Sequence, residues 1–218
     1  MTIETRNAEK FWIWTELNRS RIRETLKAAR RSVPGIHIVN VEPMIEEMTE
    51  ALHDYDPRLQ PLVALAADEV LELTVTANAR REAFLSAKTL VAAASENPAW
   101  RLYALRRRRP VQHALLDGRE LRGVEGVRFG YMRSGEKLGI TLIVDDKYEP
   151  QIDSLQAAGQ HVVMALLGEE DFGYQVSATS VVTAGEWCDG SFDAPNWPID
   201  ELADKFDMIF SRHWERVA

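Results

Sequence analysis

The chain has 218 residues, 45% of them hydrophobic and 28% charged, and a formal net charge of −8. Its length suffices to bury a sizeable core, and its composition excludes bulk disorder. The acidic balance argues against a general nucleic-acid binder, because non-specific affinity for DNA or RNA comes from neutralising phosphates. Cys188 is the single cysteine; it has no disulfide partner within the sequence and suits a reducing compartment. The opening "MTIETRNAEKFWIW" lacks the basic start and apolar core of a secretory signal, and no apolar run reaches the length of a membrane span. The expected location is the cytoplasm, with no membrane partner.

The first segment predicts a helix. Asn7 offers an N-cap, and Phe11, Trp14, Leu17, Ile22 and Leu26 recur at near-helical spacing as one stripe. Its distal part, "NRSRIRETLKAARR", puts cations where a helix dipole favours them, and Pro34 with Gly35 ends it. A short extended stretch, "IHIVNV", precedes a second helix, "EPMIEEMTEALHDY". Pro43 sits in its first turn, with Met44, Ile45, Met48, Leu52 and Tyr55 on one side.

The pattern then changes. "LVALA" and "VLELTVT", separated by Ala67, Asp68 and Glu69, predict a hairpin. "RREAFLSAKTLVAAASEN" predicts an amphipathic helix with Phe84, Leu85, Lys88 and Val91 at helical spacing. "WRLYAL" is a largely buried strand running into four arginines. After a polar connector, "VRFGYM" and "KLGITLIV" flank a tight turn at Arg133 to Glu136. A helix, "DSLQAAGQHVVMALLGE", and a strand, "YQVSATSVV", follow. A loop, "TAGEWCDGSFDAPNWP", leads to a last helix bearing Ile199, Leu202, Phe206, Ile209 and Phe210.

Hairpin, helix and strand thus occur twice in one order, at a spacing of about seventy residues, which predicts an internal ββαβ repeat. The expected fold is a single α/β (α+β) domain spanning residues 1–218. Residues 1–60 form a helical N-terminal part, 61–110 and 126–183 the two ββαβ units, and 198–216 the C-terminal helix. The simplest packing is one mixed sheet of about six strands with the crossover helices on one face.

The run "DEVLELTVTANARREAFLSAKTLVAAASENPAWRLYALRRRRP", with "FWIWTELNRSRI" before it and "LLGEEDFGYQV" after it, resembles a family of uncharacterised bacterial proteins. Members show an aromatic-rich first helix, a strand–polar–helix unit, and a Trp-led strand entering a basic or proline-rich turn. The resemblance implies an α/β fold and brings no established activity.

Arg106, Arg107, Arg108 and Arg109 are the first candidate site. They follow a strand, and ligands of α/β sheets favour that carboxyl edge; neighbouring arginines suit capture of carboxylate or phosphate. Residues 101–133 hold nine arginines against Asp117, Glu120 and Glu125. The plainer reading is a solvated connector meeting the chain's own acids. Strand alternation would then send one pair of arginines to those acids and the other to solvent. Duplex DNA is expected to bind weakly at physiological salt.

The second candidate is the loop carrying Trp187, Asp189, Asp193 and Trp197, since tryptophan is enriched at binding hot spots; the rings would equally staple the loop to the fold. His53, Asp54 and Asp56 read as a helix end and turn as readily as a cation site, and Asp145 with Asp146 as a strand end. No pair of the five histidines has zinc-ligand spacing. Neither a nucleophile elbow nor a phosphate-binding glycine loop is present. No catalytic residue, metal or cofactor is assigned. The leading expectation is a non-enzymatic binding or accessory protein that engages another protein or itself. The alternative is an enzyme acting on an anionic small molecule, with an arginine clamp and Asp145 or Asp146 as base or metal ligand.

Overall fold

The computed structural model describes residues 3–31, 41–109, 115–116, 119–120, 126–189 and 195–214. The fold is α+β, with helices toward both ends and two mixed sheets of three and four strands. The chain divides into two compact units, Met1–Arg106 and Arg107–Ala218. Pro34, Gly35, most of "IHIVNV" and most of the connector after Arg109 lie outside the described residues.

The first unit holds α1 (Ile3–Arg31), α2 (Glu42–His53), β1 (Gln60–Leu65), β2 (Leu71–Thr76), α3 (Phe84–Ala92) and β3 (Trp100–Ala104). The β1–β2 hairpin closes as expected: Ala66 and Val70 face each other across the turn, and Glu69 carries the positive φ of 62°. β3 then pairs parallel to β2. Alternation along β2 sends Leu71, Leu73 and Val75, all fully buried, to one face. There they join Phe11 and Ile22 of α1, Met44, Met48 and Leu52 of α2, and Phe84, Ala87 and Leu90 of α3 in one core.

Asn7 lies inside α1 rather than capping it, and its amide donates to the Asp54 carbonyl at 2.9 Å. Leu17 is 81% exposed. At 100° per residue it stands about 120° away from Phe11 and so cannot share its stripe. The true stripe runs Ala8, Phe11, Thr15 and Ile22. The stripe of α3 is likewise displaced: Phe84, Ala87 and Leu90 face inward, while Leu85 and Lys88 are exposed. β3 is half-buried rather than buried, because it pairs with β2 along one edge only among the described residues.

The second unit contains two short paired segments, β4 (Leu115–Leu116) and β5 (Arg119–Glu120), before its main sheet. That sheet is built from β6 (Arg128–Ser134), β7 (Lys137–Val144), β8 (Val176–Thr183) and β9 (Trp197–Pro198) in the order β8-β7-β6-β9. β6 and β7 form an antiparallel hairpin around Gly135, and β8 pairs parallel to β7. The helices are α4 (Ile152–Leu167), α5 (Glu169–Gln175), α6 (Ala184–Asp189) and α7 (Leu202–Trp214). Where one helix through residue 169 was expected, Gly168 interrupts it with φ 79° and ψ 155°, a conformation reserved for glycine, and α5 starts anew. Gln156 of α4 fixes the crossover to the sheet: its amide donates to the Val181 carbonyl at 2.7 Å and accepts from the Val181 N–H at 2.9 Å.

The single six-stranded sheet expected from sequence is therefore replaced by two. One edge of β6 is taken by β9, through Arg128–Pro198 and Phe129–Trp197. β3, at the edge of the first sheet, ends at Ala104 and turns at once through Leu105, whose φ is 68°. In both units the second hairpin strand is flanked by an antiparallel first strand and a parallel third.

Candidate binding groove

The concave feature with the most chemistry lies in the first unit, between α1 and the segment joining α3 to β3. It encloses about 510 Å³ and is lined by Trp12, Ile13 and Trp100 together with Glu9, Glu16 and Glu96. The volume falls within the range typical of ligand sites. Its walls follow from local chemistry. The Trp12 indole N–H donates to the Leu90 carbonyl at 3.0 Å, and its ring meets Phe11 edge-on at 4.9 Å. The indole is thus pinned at two points, and Thr15, 3% exposed, closes the turn beneath it by donating to the Trp12 carbonyl.

Asn97 builds the opposite wall. Its carbonyl oxygen accepts the Ala99 N–H at 2.9 Å, its backbone carbonyl accepts the Trp100 N–H at 3.0 Å, and its amide donates to Glu16 at 2.9 Å. This asparagine turn sets Trp100 at the start of β3. Glu16 also pairs with Arg19 at 3.0 Å. Among the described residues Glu9 and Glu96 are exposed and meet no cation, and no lysine, arginine or histidine lines the groove. Two indole surfaces beside carboxylates form a site suited to a group with apolar body and positive charge. From Ile13 the apolar surface continues one helical turn to Leu17; the two side chains are 53% and 81% exposed.

Sequence reasoning missed this groove. Trp12, Trp100, Glu9, Glu16 and Glu96 come from distant segments, and each segment reads as an ordinary helix, loop or strand. The one local signal was the spacing of "NPAW", an asparagine three residues before a tryptophan.

The arginine run lies elsewhere and is largely engaged by the protein itself. Because β3 ends before it, strand alternation does not decide its directions. The Leu105 N–H donates to the Val75 carbonyl at 2.9 Å, and Arg106 donates to the Thr76 hydroxyl and the Asn78 amide oxygen. Arg108 spans Asp207 at 2.7 and 2.8 Å, Asp171 at 2.6 Å and the Leu167 carbonyl at 2.9 Å. Its guanidinium pKa is raised above the ordinary arginine value, chiefly by hydrogen bonding to Asp207, and the Asp207 carboxyl is lowered in return. Arg108 thus meets two of the second unit's own acids, Asp171 and Asp207. Arg107 is exposed, and the Arg109 N–H donates to the Ala165 carbonyl at 2.7 Å.

The Trp-bearing segment is also different from expectation. Residues 184–189 are helical, because the Thr183 hydroxyl accepts the Glu186 N–H while the Glu186 carboxylate accepts the Thr183 N–H, a reciprocal cap. Trp187 is 7% exposed, and its ring covers Gly130, where a Cβ would stand 2.3 Å from the indole edge. Only glycine fits beneath that ring. Trp197 stacks on Tyr131 at 5.2 Å, lies 5.7 Å from Phe129 and carries the Lys205 ammonium 5.4 Å from a ring centroid. The rings therefore staple this segment to the sheet. Asp189 closes α6, and Asp193 lies outside the described residues.

Asp145 accepts the Lys147 N–H and Asp146 the Gly185 N–H, so both cap backbone. His53 bonds to the Leu59 carbonyl and to Gln60, and Asp56 to Arg58. No group of three or more metal-ligating side chains converges among the described residues, and none of their helices is long and apolar enough to cross a membrane. No family model, curated protein or solved structure matches the chain.

Proposed function

We propose that this is a non-enzymatic binding protein whose recognition site is the groove between α1 and the α3–β3 segment. The observation that carries the reading is the pair of tryptophans, Trp12 and Trp100, lining one volume of about 510 Å³ beside Glu9, Glu16 and Glu96. Tryptophan provides large contact area at low entropic cost and is enriched at binding hot spots. The arginine run supports an enzyme acting on an anion less well, since Arg108 spends its donors on the protein's own carboxylates. A bacterial, cytoplasmic setting, drawn from the sequence resemblance and the lone Cys188, belongs to the same proposal.

The indole N–H signals of the full chain test it. In a screen of small aromatic, aliphatic and charged fragments, binders should shift the Trp12 and Trp100 resonances and leave Trp187 and Trp197 in place. Fragments that bind with no response at Trp12 or Trp100 would refute the assignment.

A further inference from the structure

We infer that the groove receives a basic and apolar segment of a partner protein, with an arginine or lysine side chain seated between the indoles. This inference rests on the groove being the binding site, and it adds the chemistry of the occupant.

Charge supplies the first reason. The lining carries three carboxylates and no cation, and Glu9 and Glu96 meet no positive group among the described residues. An anionic occupant would face unopposed repulsion there, whereas a cation gains both the carboxylates and the aromatic faces. Arg19 partly neutralises Glu16, so Glu9 and Glu96 are the residues that select for charge.

Continuity supplies the second. Ile13 is shared between the groove and the outward face of α1, and Leu17 extends that face by one turn. Leu17, 81% exposed, contributes nothing to the core. A free small cation filling the groove would leave Leu17 unused. A peptide segment with alternating basic and apolar residues reaches both, which commits the occupant to a protein segment.

Titration calorimetry of the full chain tests this with three probes: a capped tetrapeptide alternating leucine and arginine, its glutamate-for-arginine counterpart, and benzyltrimethylammonium. The basic peptide should bind, more weakly as salt rises. The double variant Glu9→Gln/Glu96→Gln, which alters only exposed side chains, and Leu17→Ser should each weaken it several-fold. Trp100→Ala should weaken it about tenfold or more. Equal binding of the acidic peptide, or unchanged affinity in the Glu9→Gln/Glu96→Gln variant, overturns the charge assignment. Benzyltrimethylammonium binding as tightly as the peptide overturns the partner segment in favour of a small cation. Neutral fragments shifting the Trp12 and Trp100 indoles, with no binding of the basic peptide, would leave the groove as the site and sink only this inference. No response of those indoles to any probe sinks both.

Discussion

At the scale of single residues, ionised groups are held by geometry that sets how stability depends on pH. Asp56 is 5% exposed and accepts three hydrogen bonds from Arg58. The Arg58 side chain lowers its carboxyl pKa to about 2; burial opposes this, and the Arg58 backbone N–H and Ser86 assist. A depressed carboxyl stabilises the fold above its unfolded pKa, and that stability is lost as pH falls toward about 2. Asp56→Asn should therefore cost about 2 kcal/mol at neutral pH, with the difference from the parent shrinking steadily below the ordinary carboxylate range. Denaturant titrations across the acid range measure this; a pH-independent difference would contradict it. Arg108 is the second case. Its side chain is 37% exposed, so solvent screens its ion pairs, but three protein groups share its donors. Arg108→Ala should lower stability by about 1–2 kcal/mol, and Arg108→Lys should not restore the full amount, because an ammonium cannot span both carboxylates and the carbonyl. An unchanged denaturation midpoint in Arg108→Ala would contradict the clamp. The sequence displayed the arginine excess of residues 101–133, yet it could not identify Arg108 as the one that bridges Asp171 and Asp207. That choice depends on α5 and α7 bringing Asp171 and Asp207 to one guanidinium.

Whole elements were more legible than their faces. Apolar spacing located α1, α2, both hairpins, β8 and α7, because burial of a periodic face is what makes such segments fold. The faces went wrong where apolar residues also stood outside: Leu17 and Leu85 look like core by type, and their angular positions put them in water. The segment after β8 was opaque for another reason. Its helix rests on the reciprocal cap of Thr183 and Glu186, and its burial rests on Gly130 lying bare beneath Trp187. Nothing in "EWCDG" announces a glycine more than fifty residues earlier. Gly130→Ala should consequently be severe: a methyl group 2.3 Å from the indole edge forces the ring out, at about 1–3 kcal/mol or more. Thermal melting should show a much larger loss for Gly130→Ala than for Gly139→Ala, whose nearest neighbour is 3.8 Å away. Equal losses would mean that Trp187 does not depend on the bare glycine.

Across the molecule, the sequence pointed to helices at both ends and a twice-used order of hairpin, helix and strand. It did not reveal that the strands close into two sheets, since sheet membership depends on edges: β9, two residues long, occupies an edge of β6. The first unit owns a core drawn from α1, α2, β2 and α3. A fragment of residues 1–106 should accordingly give a dispersed amide spectrum and a cooperative melt; a collapsed, poorly dispersed spectrum would show that its core is incomplete alone. If the shared strand order reflects a duplication, residues 61–106 and 126–183 should also superpose along hairpin, helix and strand. The groove is the least legible feature of all, because Trp12 and Trp100 become neighbours only once α1 lies beside the α3–β3 segment. Intermolecular NOEs between the leucine–arginine peptide and the full chain test whether this groove is the recognition site. Contacts are expected from the arginine side-chain protons to the Trp12 and Trp100 rings and from a leucine methyl to Ile13 or Leu17. Contacts to Trp197 or to the Arg106–Arg109 segment, with none to Trp12 or Trp100, would contradict it.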